Sequence, residues 1–411
     1  MKKWEKEIIK TTIKCKAVHA SIVLVASAIL SSFDTSAEIL LGSQTNALTR
    51  SILRWDVFHF LSRAMNSYGG WRSEHEIAFM PGIPLLMRGC GLVMAKIRDA
   101  HTLTLSDTLI ASAFLANLIS LLAPLELYRL TRVVYPHYTP AQAAAPALLM
   151  AACPPSPPSL LVPYTEAVYT PLALMTARMV AEGSWLTASL VAFAAASTRA
   201  NGCLLAGFFL YEILIRPVLE TRRLCFPPRI INVGSEHRLS RPTLSLTLPS
   251  QRIAFASLGT IASFAPLGYT QTEAYARLCP QAPFCTRTLP LAYSYVQGKY
   301  WDNGLLRYWN VSQIPNFLIS LPVYVVGIVA ICNPRITLRA LPHYVLHTLT
   351  LILLLCFSNV QIALRFATAL PPLWWWVAAH TDSRLARSFV AWSRLWGCVA
   401  CVLWAAFLPP A

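Results

Sequence analysis

Carboxylates are scarce enough in this chain that each can be asked what chemistry it could perform, and Asp56 is the first to ask about. It stands in Arg54-Trp55-Asp56-Val57-Phe58-His59-Phe60, followed by Tyr68-Gly69 and by Ala78-Phe79-Met80-Pro81-Gly82-Ile83-Pro84. An acid between two apolar residues, with a histidine three positions on, has two readings. In one it caps a short helix lying on a bilayer, because Asp is a favoured N-cap residue and Trp55 suits the headgroup zone. In the other it is a catalytic carboxylate at the membrane surface, able to accept a proton from a hydroxyl presented there.

The whole chain holds 18 Asp and Glu residues. Glu5, Glu7, Glu182, Glu220, Glu236 and Asp382 sort to one side of the membrane or its border. Asp56, Glu74, Glu76, Glu166, Glu273 and Asp302 sort to the other and form the candidate pool. No Asp-x-Asp occurs, so the pairing that holds a divalent metal against a diphosphate is missing. There is no His-Glu-x-x-His, no Gly-x-Ser-x-Gly and no glycine-rich phosphate loop, which removes zinc-protease, lipase and kinase readings. The expected metal set is therefore none, although Glu74 and Glu76 remain able to bind an ion.

Further polar groups gather at expected helix ends: Tyr164-Thr165-Glu166, Ser197-Thr198-Arg199-Ala200-Asn201-Gly202 and Gln361-Ile362-Ala363-Leu364-Arg365-Phe366. Arg199 and Arg365 suit a lipid phosphate through their guanidinium forks, or they snorkel to the interface. The stretch from Ala292 to Trp309 is dense in aromatics and amides, a composition shared by sugar sites and interfacial belts.

The elements that must position these groups are membrane-spanning. The chain has 411 residues, 55% of them hydrophobic and 13% charged, with apolar runs that a soluble fold would not need. The formal net charge of +16 could point to nucleic acid, but the basic residues fall in connecting segments without an aromatic-interleaved motif, so topology explains them. Residues 1–16 read as a cytosolic tail before an uncleaved span at 17–33. Further spans are expected near 107–127, 141–155, 164–181, 184–199, 203–218, 253–269, 314–332, 341–358, 361–379 and 393–409, about 11 in all. Residues 79–97 read as interfacial or re-entrant, 34–106 and 270–313 as luminal, and the basic segment 220–252 as a cytosolic loop. Cys153-Pro154-Pro155-Ser156-Pro157-Pro158 reads as a luminal turn. Most of the 11 cysteines are buried thiols; Cys279 and Cys285 share a polar loop and either pair in an oxidising lumen or stay free.

Trp55-Asp56-x-x-His59-Phe60, Phe79-x-Pro81-Gly82-x-Pro84, Ser197-Thr198-Arg199-x-Asn201-Gly202, Tyr293-Ser294-Tyr295-Val296-Gln297, Tyr300-Trp301, Arg307-Tyr308-Trp309 and Gln313-Ile314-Pro315-Asn316-Phe317 together resemble a known family. It is the PIG-V type of GPI mannosyltransferase, which adds the second mannose in GPI-anchor assembly. The resemblance spans most of the chain with the motifs in order; the luminal region before Tyr293 is compact by comparison. It implies an all-α polytopic membrane protein of the GT-C glycosyltransferase class, with luminal loops forming the active site in the endoplasmic reticulum membrane. It implies dolichyl-phosphate mannose as donor, a mannosyl-glucosaminyl-phosphatidylinositol as acceptor, an α-1,6 linkage and an inverting displacement.

On this reading Asp56 is the general base, and the substrate-binding set is Trp55, His59, Glu166, Arg199, Asn201, Gln297, Lys299, Tyr300, Trp301, Arg307 and Arg365. The departing phosphate needs a cation, with Arg199, Lys299, Arg307 and Arg365 as candidates. No cofactor beyond the donor, and no nucleic acid, is expected. Membrane lipid is a partner, and a small membrane-protein partner is left open. The rivals are a secondary transporter, whose halves often show repeat symmetry absent here, and a non-catalytic subunit, which would tolerate loss of Asp56.

Overall fold

The structure is a computed structural model that describes residues 3–66, 71, 73–225, 250–332 and 336–408. Tyr68-Gly69, Arg335 and most of the basic 220–252 segment, with Arg229, Arg238 and Arg241, lie outside the described residues. The described residues are helical, with no strand among them. Six helices are long and apolar enough to cross a bilayer: Lys3–Ile29, Leu105–Val134, Ala200–Thr221, Ser250–Leu278, Val311–Ile331 and Arg384–Ala405. Trp185–Thr198 and Leu341–Phe357 are shorter apolar helices. Exposed leucines, isoleucines and phenylalanines such as Leu190, Ile261, Phe264, Leu318 and Ile352 coat their outer faces, as hydrocarbon contact requires.

Several expected spans take other forms. The basic stretch before residue 17 is no separate tail, because from Lys3 it is one helix with the first span. Inside that helix Lys16 Nζ donates to Ser120 Oγ at 2.8 Å and to the Leu160 carbonyl at 2.6 Å. Leu160 follows closely on the proline run, which the sequence reads as a luminal turn. Residues 153–159 are all buried, packed inside the bundle. Irregular backbone survives there because prolines carry no N–H to satisfy and protein, rather than lipid, surrounds them. The expected span at 361–379 is broken into Ile362–Phe366, a tight turn at Ala367–Ala369, and Pro371–Ala379. Pro371 and Pro372 start the second piece where their missing N–H groups cost nothing. The break leaves Arg365 beside a helix end inside the protein.

Two packing relationships set the site. Val57–Met65 is a short amphipathic helix whose Val57, Phe60, Leu61 and Ala64 recur at helical spacing and are buried. They pack with Ile83, Met87, Leu109, Val162, Tyr164 and Trp404. Its end is tied down by Arg88, whose Nη1 donates to the carbonyls of Ala64 and Asn66 at 3.0 and 2.8 Å. The second relationship joins sequence motifs. Gly82 sits against the Ser197–Thr198 backbone, where an added Cβ would lie 2.6 Å from the Ser197 carbonyl oxygen. Only glycine allows that approach between the Phe79–Pro84 segment and the helix end leading to Arg199.

Candidate active site

Asp56 precedes the first turn of Val57–Met65 but does not cap it. Its backbone is already helical, at φ −60° and ψ −18°, and its carboxylate makes no capping hydrogen bond. The carboxylate points instead at residues from two distant helices. The Tyr164 hydroxyl donates to Asp56 Oδ2 at 2.6 Å, and Arg365 Nη1 lies 3.4 Å from the same oxygen. Arg365 Nη1 also donates to the Tyr164 hydroxyl at 3.0 Å, closing a triangle. The preceding residue, Trp55, holds a left-handed backbone at φ 49°, an arrangement costing about 1–3 kcal/mol that persists only where its surroundings enforce it. Here the Trp55 ring packs 5.1 Å from Phe407.

Behind the triangle runs a chain of alternating charge. Arg365 Nε makes an ion-pair contact of 3.5 Å with Glu166, whose carboxylate is also paired to Arg199 and accepts from the Thr165 hydroxyl at 2.8 Å. Arg199 donates to Thr165 Oγ1 at 3.0 Å and lies over the Phe366 ring at 4.1 Å. Two carboxylates and two guanidiniums balance, which is what lets them sit together in an apolar interior. Exposure separates the two acids: the Asp56 side chain is 33% exposed and Glu166 only 2%. Asp56 can therefore meet a substrate, while Glu166 can act only through the arginines it holds.

The other expected residues form a rim. His59 lies one turn beyond Asp56, stacked on Phe79 at 4.5 Å and edge-on to His75 at 4.9 Å, and burial pulls its imidazole below the usual pKa. Trp301 meets Phe79 edge-on at 5.7 Å. Lys299 pairs with Glu74, which also accepts from the Tyr300 hydroxyl at 2.9 Å, and this carboxylate raises Lys299 above the ordinary lysine range. These contacts dock Ala292–Trp301 on the Glu74–Ala78 turn. Gln297 donates to the Tyr293 hydroxyl at 3.3 Å, and that phenol lies in the field of Arg199. Asn201 donates to the Tyr169 hydroxyl at 3.1 Å. Arg307 stands 3.6 Å from Asp302, both largely exposed. Its neighbour Tyr308 donates to Gln361 at 2.8 Å, anchoring the rim to the segment that carries Arg365.

Asp56, Glu166, Arg199 and Arg365 thus come together as one network, with Trp55 and His59 flanking it. Lys299, Tyr300, Trp301 and Arg307 belong to the rim, and Asn201 and Gln297 to tyrosines around it. Sequence reasoning missed Tyr164 as the direct partner of Asp56; its adjacency to Thr165-Glu166 in a polar cluster was the signal. It also missed the gathering of His59 with His75 and Glu76, which arrive from a separate turn.

Fold and site together define a polytopic helical membrane protein with an accessible carboxylate backed by a buried ion-pair chain. The family described as Mannosyltransferase (PIG-V) matches residues 9–224 and 241–411, and the chain belongs to it. It is accordingly a glycosyltransferase of the mannosyltransferase class. A Cryptococcus neoformans var. neoformans protein named GPI mannosyltransferase 2 is 30% identical over 420 residues, covering 92% of each chain. A mouse protein named GPI alpha-1,6-mannosyltransferase 2 is 27% identical over 427 residues, covering 92% of this chain and 84% of its own. Among solved structures, the Archaeoglobus fulgidus oligosaccharyltransferase in complex with zinc and sulfate aligns over 95% of this chain and 53% of its own, at 13% identity and a TM-score of 0.45. The chain spans about half the length of that structure.

Proposed function

We propose that this protein transfers mannose from dolichyl-phosphate mannose to a mannosyl-glucosaminyl-phosphatidylinositol, adding the second, α-1,6-linked mannose of the GPI anchor at the luminal face of the endoplasmic reticulum. Its relatives' names support the mannosyl group, the GPI acceptor and the linkage, the family resemblance implies the dolichyl-phosphate donor, and its spans supply the membrane setting. The Cys279–Cys285 disulfide in the 270–313 segment fits an oxidising lumen. The GT-C class follows from the family resemblance.

The observation that carries the mechanism is the Asp56 carboxylate, one-third exposed and aimed by Tyr164 and Arg365. The acceptor's hydroxyl oxygen attacks the mannosyl anomeric carbon while Asp56 takes its proton; the bond from that carbon to the phosphate oxygen breaks, and dolichyl phosphate leaves with the electron pair. A single displacement inverts the anomeric centre, turning a β-linked donor into an α-linked product. The leaving group is already an anion and needs cationic contact more than a proton. Arg365, held by Glu166, aims Asp56, and Arg199 in turn holds Glu166; the more exposed Arg307 and Lys299 at the rim are the groups we assign to the phosphate. A donor with one phosphate makes no use of a paired-carboxylate metal clamp, so the chemistry proceeds without a metal on the reacting atoms.

The test is transfer of labelled mannose from dolichyl-phosphate mannose to the mannosylated glucosaminyl-inositol lipid in membranes carrying this protein. Product released by an α-1,6-specific mannosidase supports the reading. Donor turnover without such a product, or transport of donor with no transfer, contradicts it.

A further inference from the structure

The Glu74–Ala78 turn lies against the helix that carries Asp56, and the two elements bring His59, His75 and Glu76 to one point. One ligand atom from each lies within 4.8 Å of the others. We infer that these three side chains bind one divalent transition-metal ion of the zinc class, and that the ion pins the Glu74–Ala78 turn to the Asp56 helix.

The donor set argues for that class. Two imidazoles and a carboxylate suit a borderline cation, whereas magnesium and calcium favour oxygen shells. Zinc holds nitrogen and carboxylate oxygen at about 2.0–2.2 Å, which puts ligand atoms roughly 3.4 Å apart, so a closure of up to about 1.4 Å completes the site. The set is also oriented. Phe79 stacks on the face of His59, fixing the ring plane, and His75 meets that ring edge-on. Glu76 is buried, and a buried carboxylate calls for compensating charge. Arg63 provides such charge through its field, and a bound cation would act on the same carboxylate. Glu74, two residues before Glu76, is committed to Lys299 and Tyr300. The same turn thereby carries the rim on one side and the proposed ligands on the other. Three protein ligands leave a coordination position for water or an oxygen of a bound molecule. The site flanks Asp56 by one helical turn and does not include it.

The experiment uses the full chain purified in detergent, stripped with chelator, and titrated with zinc or magnesium. Bound metal is counted by mass spectrometry after gel filtration, and melting is followed with and without zinc. The expected result is about one zinc per chain, little magnesium, and a melting temperature raised by zinc. His75→Ala and Glu76→Gln should each lower zinc affinity at least ~100-fold, beyond the usual effect of losing an outer-shell contact, and abolish the zinc-dependent rise in melting temperature. His75→Gln, which fills the space, reads the same loss should the alanine variant fail to fold. Absence of bound zinc in the unsubstituted protein, or equal zinc binding by the folded variants, overturns the inference. Neither readout depends on mannosyl transfer, so this inference can fail while the proposed reaction stands.

Discussion

The Tyr164 hydroxyl and the Asp56 carboxylate, 108 residues apart in sequence, are joined by a 2.6 Å hydrogen bond that takes the carboxylate out of its helix-capping position. The carboxylate of an aspartate beginning a helix ordinarily accepts from the backbone N–H groups of the first helical turn. Here Tyr164 and Arg365 hold it toward the site, and the cap is given up.

Removing that hydroxyl tests whether aim matters. Tyr164→Phe keeps the buried ring and its contact with Trp404 while Asp56 loses its donor. A hydrogen bond to a charged group contributes about 1.5–3 kcal/mol, so turnover should fall by roughly 10- to 100-fold with KM for the donor little changed. Wild-type turnover would show that Arg365 alone aims the carboxylate.

Glu166 has a different role from Asp56, and the two neutralising substitutions should separate. Glu166→Gln leaves Arg199 and Arg365 without their shared counter-charge in the interior, a loss of the kind that costs about 3–5 kcal/mol. Thermal melting in detergent should drop markedly. An unchanged melting temperature would mean that the two arginines find other compensation.

Gly82 tests the packing of one motif on another. Gly82→Ala drives a methyl against the Ser197 carbonyl, backbone that cannot swing aside, and overpacking of this kind costs about 1–3 kcal/mol. Because the displaced strand of backbone leads to Arg199, activity should fall along with melting temperature. A variant as stable and active as the unsubstituted protein would show that the contact relaxes easily.

The sequence made Asp56 visible because an acid is rare in so apolar a chain, and its motifs marked Arg199, Arg365 and the 293–309 rim. What it could not reveal were partnerships across long separations: Tyr164 and Arg365 reach Asp56 from 108 and 309 residues away. The Cys279–Cys285 pair was open in the sequence and is bonded in the structure. Hydropathy also misread the 361–379 run, since apolar content reports burial and not helix continuity; Pro371-Pro372 were the local sign of the break. That the proline turn is enclosed by other helices was likewise not legible, because turn chemistry reports local backbone shape and not what packs around it.

Metal removal separates structure from chemistry. With the ion placed beside Asp56 and holding a turn, chelated protein should still transfer mannose within a few-fold of the untreated rate well below its melting temperature, and should lose activity sooner on warming. Complete loss at low temperature, restored by manganese or magnesium, would put a metal on the reacting groups.

Asp56→Asn is the most direct measurement, because it preserves volume and hydrogen-bond acceptance while removing the carboxylate. The purified variant should insert and fold with only a modest fall in melting temperature, since Asp56 provides no cap, its one-third-exposed charge is partly solvated, and Arg365 keeps Glu166. Its transfer of labelled mannose from dolichyl-phosphate mannose should fall by about two to four orders of magnitude, the usual contribution of a positioned proton acceptor. Near-normal turnover by well-folded Asp56→Asn protein would contradict the assignment of Asp56 as the base.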